Sequence, residues 1–414
     1  MQCQTTMLSI LIFFFCQCVI LIRSDEASCP DVAWNMKNTD AIPYNDVHEQ
    51  WISRNWSRRD NMYGAKMRLL NAYLYEDFIA VTTTVEYKMG RPGYCRYYDC
   101  NRQEIPGSTW KGVFFPLTTI YCVRRAGAKY ISVSFEPTDP NPEPPIPLLF
   151  RAYETPVHEL SMCVGPFYGT DKKWMQLIEF VEHYRANDVT MFYFTIFDMD
   201  SYSRTVMDEY QRMGLGELTV IQTEYKQLDW MFHLIQVHDC YHRSKYHSKW
   251  VINADIDERF TMLQPDLTLT ELLGTLDESV GEVNFQARRI HKTEFSPGSF
   301  TTTQNFISNL EFLKFNKSVE HTWGSSKSIH RPEKVCVLTY HLSFLQYPGT
   351  IIKYLPKEVA EFRHYRITQI DNSIGNGWTD KEKVTEETWL EENLEEDMVH
   401  RVVNMIDHIY ESEI

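Results

Sequence analysis

A chain of 414 residues that is 43% hydrophobic and 14% aromatic can bury more than one core, and its 23% of charged residues excludes a largely disordered chain. The formal net charge of −15 argues against general nucleic-acid binding, which needs a positive surface. Much of that excess is local, because residues 380–414 hold twelve acidic residues against three Lys or Arg.

Residues 7–22 (MLSILIFFFCQCVILI) form an uncharged apolar run, slightly short of the ~20 residues a membrane-spanning helix wants. Residues 1–24 therefore read as a cleaved signal peptide or a signal anchor, and either puts the rest of the chain in the secretory lumen. An uncleaved segment would attach the protein to the membrane. Residues 25–44 are polar and aperiodic, as in a stem. Beyond the apolar run lie seven cysteines, Cys29, Cys95, Cys100, Cys122, Cys163, Cys240 and Cys336. Most would pair in an oxidising compartment, and the odd number leaves at least one over. A bond between Cys95 and Cys100 would close a small loop, but spacing does not fix connectivity. Asn55-Trp56-Ser57 and Asn316-Lys317-Ser318 are N-glycosylation acceptors.

Residues 45–136 predict a β-rich N-terminal domain, with β-branched and aromatic runs at 78–85, 118–123 and 130–134. The proline-rich stretch 137–147 reads as an extended linker, since each proline fixes φ and lacks a donor. From 148 to 370 the signals alternate. Strands are expected at 160–164, 191–197, 218–221 and 250–253. Helices are expected from near Asp171, over Tyr202, Val206 and Tyr210, and over 230–241. This order predicts an α/β domain, a mostly parallel sheet with helices on both faces. Such sheets take ligands beyond the carboxyl ends of their strands. In the acidic tail, 371–414, Leu390, Leu394, Met398, Val402, Met405 and Ile409 keep a helical stripe.

The leading chemical feature is Asp255-Ile256-Asp257, which follows the apolar strand directly. Two carboxylates one residue apart can share a hard divalent cation, and the cation can bridge a diphosphate. A solvated acidic turn is the bland alternative. A second Asp-x-Asp, Asp198-Met199-Asp200, is better explained by Asp200 capping the helix that follows. His238 and His242 stand four apart on one helix, but Asp239 replaces the Glu of a zinc protease, which favours a packed helix with polar edges. Serine-hydrolase elbows and phosphate-binding P-loops are absent from the sequence.

Further motifs surround this one: Pro166-Phe167-Tyr168-Gly169, Trp174, Glu179-Phe180-Val181-Glu182-His183-Tyr184, Asp200-Ser201-Tyr202-Ser203-Arg204, Lys249-Trp250-Val251, Lys327-Ser328-Ile329-His330-Arg331-Pro332 and His364-Tyr365-Arg366. Together, over residues 161–366, they resemble glycosyltransferase family 92. The resemblance implies a GT-A-like fold and a lumenal, membrane-bound Golgi enzyme. It further implies inverting transfer of a hexose from a UDP-sugar with Mn²⁺. The family's characterised activity is β-1,4-galactosyl transfer to fucose on glycan cores, so the acceptor is a glycan or glycoprotein. Carried over, Asp255 and Asp257 become nucleotide and metal ligands, with His341 as third metal ligand and His364 as its competitor. Phe167 or Tyr168 is expected to stack on uracil. The sequence departs from the pattern between Asn284 and Asn305, and Glu294 in that segment is the candidate general base. A surface Glu294 paired with Lys292 explains the same residues. The other class of function on this fold is a non-catalytic lumenal carbohydrate-binding or assembly protein.

Overall fold

The computed structural model describes residues 33–54, 64, 66–85, 87–169, 171–222, 230–264, 267–367 and 386–411. The apolar segment 7–22, Cys29 and the Asn55 acceptor lie outside them. Among the described residues no helix is long and apolar enough to cross a membrane.

A short helix, α1 (Asn45–Ser53), precedes seven strands: β1 (Leu69–Leu74), β2 (Phe78–Thr83), β3 (Pro92–Tyr98), β4 (Trp110–Val113), β5 (Thr119–Val123), β6 (Tyr130–Ser134) and β7 (Ile146–Phe150). They form one sheet in the order β4-β3-β6-β7-β1-β2-β5. Its two edges approach each other, because β4 and β5 are joined by a short connection and Phe114 bridges Ile120. The sheet thus curls almost into a barrel, which leaves little free edge. Ile79, Val81, Tyr97, Phe114, Ile120, Ile131 and Val133 fill its interior, and a Cys95–Cys122 disulfide crosses from β3 to β5. The end of the proline-rich stretch enters β7, which pairs with β1 and β6.

The second sheet begins with β8 (His158–Phe167), α2 (Trp174–Ala186), β9 (Met191–Ile196), α3 (Ser201–Arg212), β10 (Gly216–Val220), α4 (Trp230–Ser244) and β11 (Ser248–Ala254). It continues through β12 (Glu258–Met262), α5 (Leu269–Gly274), β13 (Val280–Lys292), α6 (Thr303–Ile307) and α7 (Glu311–Lys314). Then come β14 (Lys317–Ser318), β15 (Thr322–His330), β16 (Val335–Leu338), β17 (Ser343–Gln346), β18 (Ile351–Tyr354), β19 (Ala360–Ile367), β20 (Glu386–Glu387) and α8 (Glu392–Ile406), with β16 and β17 forming a separate two-stranded sheet.

The expected GT-A-like, mostly parallel sheet flanked by helices does not form. The protein is β-rich, with 25% helix and 35% strand. Strands β10-β9-β8-β11 are parallel to one another. Beyond β11 the order runs β15-β13-β14-β20 with every pairing antiparallel, and β12 joins antiparallel to β19. The physical reason is where the helices stop. The crossover helices α2, α3 and α4 enforce parallel pairing up to β11. After it the turn at 255–257 leads straight into β12, and among the described residues only the short helices α5, α6 and α7 lie between the strands that follow. The long β13 pairs antiparallel with β14 and β15 and parallel with β18 and β19. The alternation of strand and long helix therefore ends at β11 rather than at residue 370.

The N-terminal sheet docks on α4. Asp239, buried in that helix, accepts from Asn71 Nδ2 at 3.0 Å and 3.1 Å, Tyr73 OH at 3.1 Å and Thr82 Oγ1 at 2.5 Å. Thr219 Oγ1 of β10 adds a fourth donor at 3.1 Å, and Arg243 stands 4.0 Å away. The next residue, Cys240, is bonded to Cys163 of β8. Cys100 is also disulfide-bonded and Cys336 is free and buried. The Cys95–Cys100 loop is therefore not made. The disulfides fit an oxidising, lumenal compartment.

Candidate active site

β8 pairs on one side with β9 and on the other with β11: the chain steps outward from β8 through β9 to β10, then crosses back by α4 to the far side of β8. That reversal opens a crevice at the carboxyl ends of β8 and β11. The end of β8 is kinked at Gly165, whose φ is +119° and whose added Cβ would sit 2.7 Å from the Thr195 carbonyl oxygen. Register with β9 slips between Val164 and Phe167. As a result Phe167 turns into the core at 2% exposure and Tyr168 turns out at 50%. Of the two, only Tyr168 has a face to offer a base, and Phe167 is corrected to a core residue. Burial and the nearby charges of Asp255 and Asp257 raise the Tyr168 hydroxyl above its ordinary range.

Asp255-Ile256-Asp257 forms the turn between β11 and β12. Glu258 N–H donates to the Asp255 carbonyl at 3.0 Å, and the Glu258 carboxylate accepts from Asp255 N–H at 2.8 Å. Tyr365 N–H of β19 holds the Asp257 carbonyl at 2.9 Å. Both aspartates stay partly exposed, whereas Glu258 is buried and paired with Lys327 at 3.0 Å. Asp255 faces His233 of α4 at 3.2 Å and Lys327 of β15 at 3.8 Å. Asp257 faces His364 of β19 at 3.4 Å. Burial pushes Asp255 upward, but His233, Lys327 and His364 together hold it below the ordinary carboxylate range. Asp257 is likewise lowered: burial and Asp255 oppose ionisation, and His364 and Arg366 outweigh them. Burial lowers His364, yet Asp257 and Glu258 raise it overall. The turn presents two carboxylates of lowered pKa beside Lys327 and the imidazoles of His233 and His364.

The sequence pointed to Asp255 and Asp257, and to His364 as the competitor of His341, but not to His233 or to Lys327 as a partner of the turn. His233, Lys327 and His364 arrive from three other elements. His341, the first choice for a third ligand, points Nδ1 at the Ser326 carbonyl at 3.1 Å, and burial with the Lys327 charge lowers it to about 4. Glu294 lies just past β13, exposed and ion-paired with Lys314. Lys292 pairs with Glu311 instead. Arg289 lies opposite His364 in the β13–β19 register, and Glu294 follows two residues beyond the end of β13, five residues past that position. The structure does not bring Glu294 to the aspartates. Asp200 caps α3 by accepting from Ser203 N–H at 2.9 Å. His238 Nε2 donates to the Leu338 carbonyl at 3.0 Å, and His242 lies 3.3 Å from Tyr75 OH, so both are packing residues.

Among the described residues no group of three or more His, Cys, Asp or Glu is placed so that it could hold a metal ion. Asp255 and Asp257 are instead each paired with a histidine. Two donors bound at ~2.1 Å to one octahedral cation stand roughly 3 Å apart. The 3.4 Å between His364 Nε2 and Asp257 Oδ2 fits that requirement, and the oxygen-rich donor set suits a hard divalent ion.

The model of glycosyltransferase family 92 matches residues 158–407, which covers the second sheet, the aspartate turn and α8. The chain belongs to glycosyltransferase family 92. No curated protein matches it. In this family-92 chain the matched region begins with β8 itself, so the crevice between β8 and β11 lies wholly inside it. The curled N-terminal sheet precedes the match. It reaches the crevice indirectly, through α4, which carries both Asp239 and His233.

Proposed function

We propose that the protein is a lumenal Golgi enzyme that transfers a hexose, with inversion, from a UDP-sugar to a glycan acceptor. The observation that carries this reading is the ionised Asp255-Asp257 turn at the crevice between β8 and β11 of a family-92 chain. Asp255, Asp257 and His364 would hold a divalent cation such as Mn²⁺, with His364 taking the place first given to His341. When bound, the cation neutralises charge on the departing diphosphate. Tyr168 offers its exposed ring to the uracil. Lys327, fixed by Glu258, supplies a permanent positive charge beside Asp255. His233 keeps Asp255 ionised and aimed into the crevice.

The test is thermal stability of the purified protein with Mn²⁺, with UDP, and with both. A ligand that binds only the folded state raises the melting temperature, by about 2.7 kcal/mol of stability at a hundredfold excess over Kd. Stabilisation that requires both, and is lost in Asp257→Ala, supports the reading. No stabilisation of the wild type by UDP and Mn²⁺ would overturn it. Binding without transfer to any glycan would instead mark the non-catalytic carbohydrate-binding alternative.

A further inference from the structure

Trp323 stands in water although a tryptophan is worth more buried. It is 43% exposed, and its partner Tyr354 is 61% exposed. The two rings meet edge to face, with centroids 5.3 Å apart and planes at 79°. The chain takes trouble to put Trp323 there. Between the pairs Phe285–Lys327 and Ala287–Thr322, two steps along β13 are matched by five along β15. The excess residues leave the ladder as a wide bulge, a device that re-aims side chains next to active sites.

That bulge is tied to the reaction centre on both sides. Arg289, opposite His364 in the sheet, donates to Ser325 Oγ at 3.1 Å. His341 holds the Ser326 carbonyl at 3.1 Å. Lys327, the next residue, faces Asp255. Because Ile252 of β11 lies opposite Ile329, Ser326 is level with Asp255 and Trp323 projects past the strand's carboxyl end. The three residues from Ser326 to Trp323 span at most about 10 Å. Residues 322–326 (TWGSS) carry no charge, in contrast to the aspartate turn. The charged side suits a nucleotide diphosphate. The neutral aromatic side suits a ligand with apolar faces and hydroxyl edges.

We infer that Trp323 and Tyr354 form the platform on which a neutral glycan acceptor stacks. A pyranose presents C–H faces to such rings while its hydroxyls reach water and the Ser325 and Thr322 hydroxyls. The bulge then sets how far the stacked sugar lies from the aspartate turn. This rests on the transferase reading for the word acceptor, but the sugar platform itself does not.

The experiment uses a pool of neutral N-linked oligosaccharides released from glycoproteins, with binding read by saturation-transfer NMR and equilibrium dialysis. Wild type should bind members of the pool. Trp323→Ala and Tyr354→Ala should each weaken binding about tenfold, the loss expected when one aromatic face is removed. Trp323→Phe should recover part of it. Oligosaccharide should also protect Trp323 from oxidation, located by peptide mass spectrometry. All variants should keep the wild-type melting temperature and its response to UDP with Mn²⁺, since both rings are exposed. A double Ala variant that binds the pool as well as wild type overturns the platform, as does a wild type that binds none of it. Loss of the UDP response in wild type, with Trp323-dependent sugar binding intact, would sink the transferase reading and leave the platform standing.

Discussion

Asp239→Asn tests how the two sheets are held together. The substitution keeps shape and one acceptor oxygen but turns the other oxygen into a donor. Suppose the remaining oxygen serves Tyr73 and Thr82. Thr219 then loses its acceptor, and its hydroxyl has little alternative, because it already accepts from Arg243 and from Asn71 at 3.2 Å. A hydrogen bond to a charged group contributes about 1.5–3 kcal/mol. The remaining bonds lose their charge assistance, and Arg243 is left buried with Glu217 at 3.8 Å as its nearer carboxylate. The sum is about 4 kcal/mol, inside the roughly 3–5 kcal/mol seen when one member of a buried charged pair is removed. At 2–4 °C per kcal/mol, the melting temperature should fall by roughly 8–16 °C. Urea denaturation gives the free energy, and hydrogen exchange gives the place. Amides of β1 and β2 should lose protection more than those of β8 and β9. A loss under about 1 kcal/mol, or uniform exchange, would refute a seam built on Asp239.

Replacing Cys163 and Cys240 together by Ala opens a loop with a sequence separation of 77 and should cost about 4.5 kcal/mol on the chain-entropy account; an unchanged denaturation midpoint would refute it. His364→Ala should weaken Mn²⁺ binding at least tenfold in isothermal titration while His341→Ala changes it less than threefold, and the reverse order would restore His341 as the ligand. His183 and His238 are buried and lowered by that burial to about 3 and about 4. The unfolded chain takes these protons first, so their stabilisation is present above pH 6.5 and fades as pH falls toward 4 and 3. At pH 5 each should cost about 2 kcal/mol relative to pH 7.5, and a His183→Gln variant should show a flatter acid limb. Gly165→Ala should destabilise the end of β8 and weaken UDP binding through Tyr168, which fluorescence competition would read.

The sequence made the aspartate turn legible because strand and motif are contiguous, and the crossover helices announced β8 to β11 by period alone. What it hid was non-local. His233 and Lys327 are single residues from distant elements whose place beside Asp255 no local pattern marks, and His364 stood only as the competitor of His341. Phe167 and Tyr168 could not be told apart, because the slip at Gly165 reverses the alternation that would assign their faces. The pairing of Glu294 with Lys292 that sequence neighbourhood suggests is not made: Lys292 turns to Glu311, and Glu294 pairs with Lys314 from α7. The half of the second sheet after β11 was hidden because its helices α5, α6 and α7 are only 6, 5 and 4 residues long, too short to leave the periodic signal of a crossover helix.

The seam at Asp239 also sets a timetable for biosynthesis. Asn71 and Asp239 are separated by 168 residues, so the first sheet emerges from the ribosome long before its partner helix exists. At roughly 5–20 residues per second, it waits about 10–30 s with Asn71, Tyr73 and Thr82 unanswered. Cys163 is also synthesised ahead of Cys240 and spends part of that interval as a free thiol. A chaperone or thiol-exchange factor has that interval in which to act. The first sheet commits to its final partner only when α4 leaves the exit tunnel, and a catalytic half expressed alone would present Asp239 to water with those donors missing.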